Sequence, residues 1–253
     1  MTTVPDPGSK LIQITDCHLL ADPGALHKRV SPRRTLQSVC DAVRKNHADA
    51  AALLLTGDLS QDGSTESYRQ MVDMITPLTT RTFALAGNHD LAAAMQNSLP
   101  PVISLDKIAT FGNWRVLLLN SVIESEVGGR LDSAELQWLQ DQLTEYKEDY
   151  FIVALHHHPV PTGSLWMDRI GLENPQALEH LLTDNPRVRM LLHGHTHQAG
   201  CRFWKHIPCY GTPSSWRQFA AGSAFYRMDV LPPAYRVIEL HNDGRHRSWV
   251  EFV

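Results

Sequence analysis

The stretch FIVALHHHPVP, residues 151–161, sets five consecutive apolar residues against three consecutive histidines and a Pro-x-Pro brake. A short, continuously apolar run bounded by a turn signal reads as a strand buried on both faces. Such strands belong to parallel sheets covered by helices, not to sheets with one wet face. Burying Phe151 to Leu155 gives no use to His156, His157 and His158, so the question is which of the three holds something.

The same run recurs along the chain as KLIQIT (10–15), AALLLT (51–56), RTFALA (81–86), RVLLLN (115–120) and VRMLL (188–192). Amphipathic segments lie between them. SPRRTLQSVCDAVRKN opens on an N-cap Ser31 with Pro32 at the first helical position, and Leu36, Val39, Cys40 and Val43 fall at i, i+3, i+4, i+7. STESYRQMVDMITP repeats the spacing and stops at Pro77, DSAELQWLQDQL stripes Leu136, Leu139 and Leu143, and NPQALEHLL starts on Asn174-Pro175. Strands alternating with helices predict an α/β domain with a largely parallel sheet. The tail differs: residues 235–241, Asn242-Asp243-Gly244 and residues 246–253 predict a β-hairpin. No repeat or linker divides the chain, so residues 1–253 are read as one domain, with an antiparallel region after residue 200.

Composition narrows the class. Hydrophobic residues at 43% and charged residues at 20% are ordinary for a soluble globular protein. A net charge of −4 gives no electrostatic case for gripping a nucleic-acid polymer, so a small phosphate ligand would need a local positive centre. MTTVPDPGSK lacks a leader pattern, and no apolar run approaches the ~18 residues of a membrane span. Cys17, Cys40, Cys201 and Cys209 form no CxxC pair, which suits reduced thiols in a cytoplasmic protein. The histidine count, 14, is the first sign of a site.

That site is spelled out where the strands end. KLIQIT runs into Asp16-Cys17-His18, AALLLT into Gly57-Asp58, RTFALA into Gly87-Asn88-His89-Asp90, FIVAL into the three histidines and VRMLL into His193-Gly194-His195-Thr196-His197. Carboxyl ends of parallel strands share one edge, so these side chains converge on one crevice. Alternation in an extended segment aims Asp16 with His18 and His195 with His197. Mixed imidazole and carboxylate donors suit Mn, Fe, Zn or Co better than Ca or Mg.

Read in order as DCH, GD, GNHD, HHH and GHTH, the motifs resemble those of the calcineurin-like metallophosphoesterases over about residues 10–200. The resemblance implies two facing mixed β-sheets flanked by helices, a four-layer αββα sandwich whose second sheet residues of about 200–253 complete. It also implies a binuclear centre of divalent or mixed-valence ions (Fe and/or Mn, with Zn as the other choice). Asp16, His18 and His197 would bind one ion, Asn88, His195 and one of the 156–158 histidines the other, and Asp58 would bridge them. The family's H-x-P spacing, applied to Pro159, selects His157. His89 would sit over the phosphate as the catalytic residue, with Asp90 orienting it or capping the following helix.

LHHHPVPTGSLWMDRIGLEN, DSAELQWLQDQL and GTPSSW further resemble the bacterial class III 3',5'-cyclic AMP phosphodiesterases, with Asn120 standing where that subgroup favours Asp. What this implies is hydrolysis of cyclic AMP to 5'-AMP by attack of a metal-bridging hydroxide. A broad-specificity or glycerophosphodiester-cleaving enzyme on the same centre is the alternative. The substrate would contact His18, Asp58, Asn88, His89 and His197, with Trp166, Met167 and Trp216 as apolar walls and His27-Lys28-Arg29 as a basic patch over the crevice. The expected partner is a small phosphodiester, with neither nucleic acid nor membrane, and a homodimer is the assembly such enzymes commonly adopt.

Overall fold

The computed structural model describes residues 8–78 and 81–253, so Met1 to Pro7 of the segment read for a leader lie outside the described residues. In the first sheet β1 (Lys10–Ile14), β2 (Ala52–Thr56), β3 (Thr82–Leu85) and β4 (Ile103–Ser104) run parallel. Helices α1 (Pro32–Asn46), α2 (Thr65–Ile75) and α3 (Ala92–Ser98) make the crossovers. The second sheet orders β5 (Ile108–Phe111), β6 (Trp114–Leu118), β7 (Tyr150–Leu155), β8 (Val188–His193), β10 (Ile207–Gly211) and β9 (Gly200–Trp204). Its central strands β6, β7, β8 and β10 are parallel, with α4 (Ser133–Glu145) and α5 (Pro175–Thr183) between them.

Strand parity explains the layering. In β2, Ala52 and Leu54 face the other sheet while Leu53 and Leu55 face α1 and α2; in β7, Ile152 and Ala154 face the other sheet while Phe151, Val153 and Leu155 face α4 and α5. Three cores result, one between the sheets and one under each helical layer. On α1 the predicted stripe Leu36, Val39, Cys40 and Val43 is buried throughout, each Leu or Val being worth about 1.5–3 kcal/mol by area. Ser31 Oγ accepts from the Arg34 amide and Ser64 caps α2 likewise. Asn174 does not cap α5; its amide instead pairs with both backbone groups of Leu131, tying the two helix-bearing loops together.

The tail departs from expectation. β9 and β10 extend the second sheet, but the hairpin β11 (Ala234–Leu240) and β12 (His246–Phe252) joins the first, β11 lying antiparallel to β1. The cause is apolar on both faces of β11: Tyr235 and Val237 fill the core beneath α1 and α2, while Ile238 and Leu240 fill the core between the sheets. β4, β5 and β9 carry no apolar period that sequence reading could use, and β9 exposes Gly200 to Phe203.

Candidate metal centre

The carboxyl edges of the two sheets meet. Asp16 and His18 follow β1, Asp58 follows β2 and Asn88 and His89 follow β3, all from the first sheet. His156 follows β7, and His195 and His197 follow β8, from the second. Ligand atoms of Asp16, His18 and His197, of His18, Asp58 and His89, and of Asp58, His156 and His195 form three clusters, each within 4.8 Å. His197 Nε2 stands 3.2 Å from Asp16 Oδ1, and Asp58 Oδ2 is 3.3 Å from His156 Nε2 and 3.8 Å from His18 Nε2.

Backbone strain marks the same residues. Asp16, His18, Asp58, His195 and His197 have φ of +55°, +49°, +50°, +63° and +48°, a region that costs non-glycine residues roughly 1–2 kcal/mol each. Asp16 and His18 therefore share the crevice through left-handed kinks, not through extended alternation, while Cys17 drops into the core. A β-carbon at Gly87 would collide with Asp58 Oδ1 and the His156 ring, so glycine is required for β3's exit to pass this close.

Each imidazole is aimed by its other nitrogen. His156 Nδ1 donates to Thr56 O (2.8 Å), His197 Nδ1 to Arg217 O (2.6 Å) and His195 Nε2 to Ile170 O (3.0 Å). His18 Nδ1 donates to Gln61 Oε1 (2.8 Å), and Gln61 Nε2 donates to His89 Nδ1 (3.1 Å). An amide oxygen only accepts and an amide nitrogen only donates, so Gln61 leaves a lone pair on His18 Nε2, which faces His197 Nε2 at 3.1 Å, and places the His89 proton on Nε2. Sequence reading missed Gln61, because a glutamine three residues past Gly57-Asp58 carries no motif of its own.

The three histidines separate cleanly, and His157 is corrected. Its Nδ1 accepts from Ser121 Oγ at 2.8 Å and its Nε2 donates to Val127 O at 3.2 Å, so neither nitrogen is free. By parity His156 continues the Ile152–Ala154 face toward the opposite sheet, where Asp58 lies, and His157 turns toward the helical side. His156 Nε2 is buried without a hydrogen-bond partner, as is Asn88 Oδ1. Two such buried atoms with lone pairs to offer, His156 Nε2 standing 3.3 Å from the Asp58 carboxylate, fit a cation that would bind both. His158 lies beside Asp168, with Nε2 3.7 Å from its carboxylate.

Asp90 is also corrected. Its carboxylate accepts from the Gly87, Leu59 and Ser60 amides at 2.9, 3.2 and 3.0 Å and from the Tyr68 hydroxyl at 3.0 Å. It neither touches the His89 ring nor caps α3, whose N-cap is Leu91; it locks the β2 and β3 exit loops together. Burial, then the nearby Asp58 charge, pushes its carboxyl up to about 6.

Electrostatics prepare the site for positive charge. Burial alone would raise the Asp58 carboxyl, but His156, His18 and His89 outweigh it and hold it well below the usual range. Burial likewise opposes charge on His156, yet Asp58 beside it lifts the ring to about 9. Burial keeps His18 neutral, at about 3, and His195 well below the ordinary value. At neutral pH His156 thus carries a proton that a metal ion must displace. Loading with Mn(II) at pH 7 is expected to release close to one proton per chain, falling away as pH rises through about 9. Titration calorimetry in two buffers of different ionisation enthalpy reads this directly; identical heats in both would contradict it.

Aromatic side chains line the rim. Phe219 stacks on His197 at 4.1 Å, and Trp166 packs edgewise on Phe219 and Tyr226 at 5.2 Å each, its Nε1 buried without a partner. Met167 is buried in packing and is no wall. Trp216 lies edge-on to His18 at 5.2 Å and carries the His27 ring at 4.4 Å. Asn120 stands apart, its Oδ1 accepting from the Val122 amide.

Comparison with known families matches residues 9–199 to the calcineurin-like phosphoesterase domain. The chain belongs to the calcineurin-like phosphoesterases. Among relatives of this phosphoesterase, the 3',5'-cyclic adenosine monophosphate phosphodiesterase CpdA of Pseudomonas aeruginosa is 40% identical over 252 residues, covering 100% of this chain and 93% of that protein. The protein of the same name from Haemophilus influenzae is 34% identical, covering 97% and 90%. A dimetal phosphatase from Danio rerio, 14% identical, superposes over 94% of both chains with a TM-score of 0.69 and shares the phosphoesterase fold. Among the described residues no helix is long and apolar enough to cross a membrane.

Proposed function

We propose that this phosphoesterase hydrolyses 3',5'-cyclic AMP to 5'-AMP on a centre of two metal ions, in the cytoplasm. The carrying observation is Asp58 Oδ2, one carboxylate oxygen shared between His18 at 3.8 Å and His156 at 3.3 Å. Asp16, His18 and His197 would hold one ion, Asn88, His156 and His195 the other, and Asp58 both. The donor set suits Fe, Mn or Zn. When bound, two such ions polarise the phosphoryl oxygens and acidify the attacking water. CpdA relatives that match this chain along nearly its whole length support the substrate.

The chain's own residues supply the rest. Opening the cyclic diester breaks the P–O3' bond, and the 3'-oxygen leaves as an alkoxide, a poor leaving group that rewards a nearby acid. His89, its Nδ1 occupied by Gln61, presents an Nε2 proton for that oxygen. The Asp58 Oδ1 bond to the His89 amide, 2.9 Å, ties this acid to the shared carboxylate. Trp166, Phe219 and Tyr226 form the apolar wall on the His197 side, suited to a purine.

The test is steady-state turnover of the Mn-loaded enzyme on cyclic AMP, bis-p-nitrophenyl phosphate and a glycerophosphodiester. Cyclic AMP is expected to give the highest kcat/KM. A glycerophosphodiester turned over faster would move the substrate to the alternative class on the same centre.

A further inference from the structure

Residues 21–30 form a loop that folds back over the His18 side of the crevice. His27 and Val30 exchange both backbone hydrogen bonds, at 2.9 and 3.0 Å, and Arg217 Nη1 donates to Lys28 O at 3.2 Å. Lys28 and Arg29 take left-handed φ of +48° and +71°, a strained pair held by those bonds. The loop is therefore built, and what it presents is specific.

His27 is half-buried, with its ring 4.4 Å from Trp216 and lying nearly parallel to the His18 ring at 6.1 Å, with an interplanar angle of 16°. Neither of its ring nitrogens has a hydrogen-bond partner among the described residues. His157, by contrast, has both satisfied. Trp216 Nε1 beside it is also buried and unpartnered. Lys28 and Arg29 are exposed, and no described carboxylate lies within ion-pair distance of either. In a chain of net charge −4 this puts uncompensated positive charge at the mouth of the crevice, where a low-dielectric wall focuses it.

We propose that His27 is a substrate-contacting residue whose ring donates to a nonbridging oxygen of the phosphodiester, with Lys28 and Arg29 drawing the anion to it. The proposal rests on the phosphodiesterase reading above and adds to it a binding group outside the ligand motifs. Trp216 fixes the ring's plane, and the 27–30 backbone pair fixes its height over His18.

The test compares wild type with His27→Ala, His27→Gln and the double variant Lys28→Ala/Arg29→Ala, as Mn-loaded full-length protein. The readouts are KM and kcat for cyclic AMP and bis-p-nitrophenyl phosphate, Ki for inorganic phosphate, and metal content. His27→Ala is expected to raise KM and the phosphate Ki about tenfold, the worth of one hydrogen bond to a charged group, with kcat changing less. His27→Gln, which keeps a donor, should recover part of the loss. The double variant should flatten the decline of kcat/KM with salt. Unchanged KM and Ki in both His27 variants would overturn the proposal, as would losses that track lost metal. If wild type cleaves only bis-p-nitrophenyl phosphate, the cyclic AMP reading fails while the phosphate Ki still decides the role of His27.

Discussion

Asp58→Ala is expected to lower kcat/KM for cyclic AMP at least ~1000-fold, about 4 kcal/mol of transition-state stabilisation. Three consequences combine. The one oxygen close to both His18 and His156 disappears, so the Asp58–His156–His195 cluster loses its carboxylate, while Asp16 still faces His197 across the sheets. The His89 amide loses its acceptor, loosening the proton donor. The attraction that lifts His156 to about 9 also goes, so burial drives that ring neutral. Metal content should fall from two ions per chain toward one or none, and the rise in Tm on metal addition should shrink with it. Elemental analysis of dialysed protein, alongside the assay, checks both. Two ions retained with activity intact would remove Asp58 from the centre.

The second large effect separates adjacent residues. His156→Ala should cost ~100-fold or more in kcat/KM and deplete metal, because it deletes an orphan nitrogen aimed at Asp58. His157→Ala should instead destabilise the fold by about 2–4 kcal/mol, leaving a cavity and unpaired Ser121 and Val127 groups. The folded fraction of His157→Ala should keep its metal and most of its activity. The reverse pattern would restore His157 as the ligand.

Much of this was legible in the chain. Five apolar runs, each ending in Asp, Asn or His, announce one sheet edge and one site, and the helix stripes on α1 and α2 match their buried faces. The histidine choice was legible too, but in strand parity and not in the distance to Pro159: counting by twos from Ile152 and Ala154 reaches His156. The pairing of Asp16 with His18 was anticipated for a reason that does not hold, since both residues are left-handed and not extended. Asp90 lay hidden because GNHD places a carboxylate beside His89 in sequence, whereas the turn sends it back to the Leu59 and Ser60 amides. Gln61 depends on a loop whose course no local pattern specifies, whereas the sequence places His27 over the crevice only as one member of the basic patch 27–29. The hairpin's choice of the first sheet likewise rests on β1 having a free edge, a fact of topology.

The most direct test of the binuclear centre is anomalous diffraction from crystals of the Mn-loaded protein. Two peaks are expected, one on each side of the Asp58 carboxylate, with His156 Nε2 and Asn88 Oδ1 on one ion and Asp16 and His197 on the other. A single peak, or an ion held by His157, would contradict the assignment.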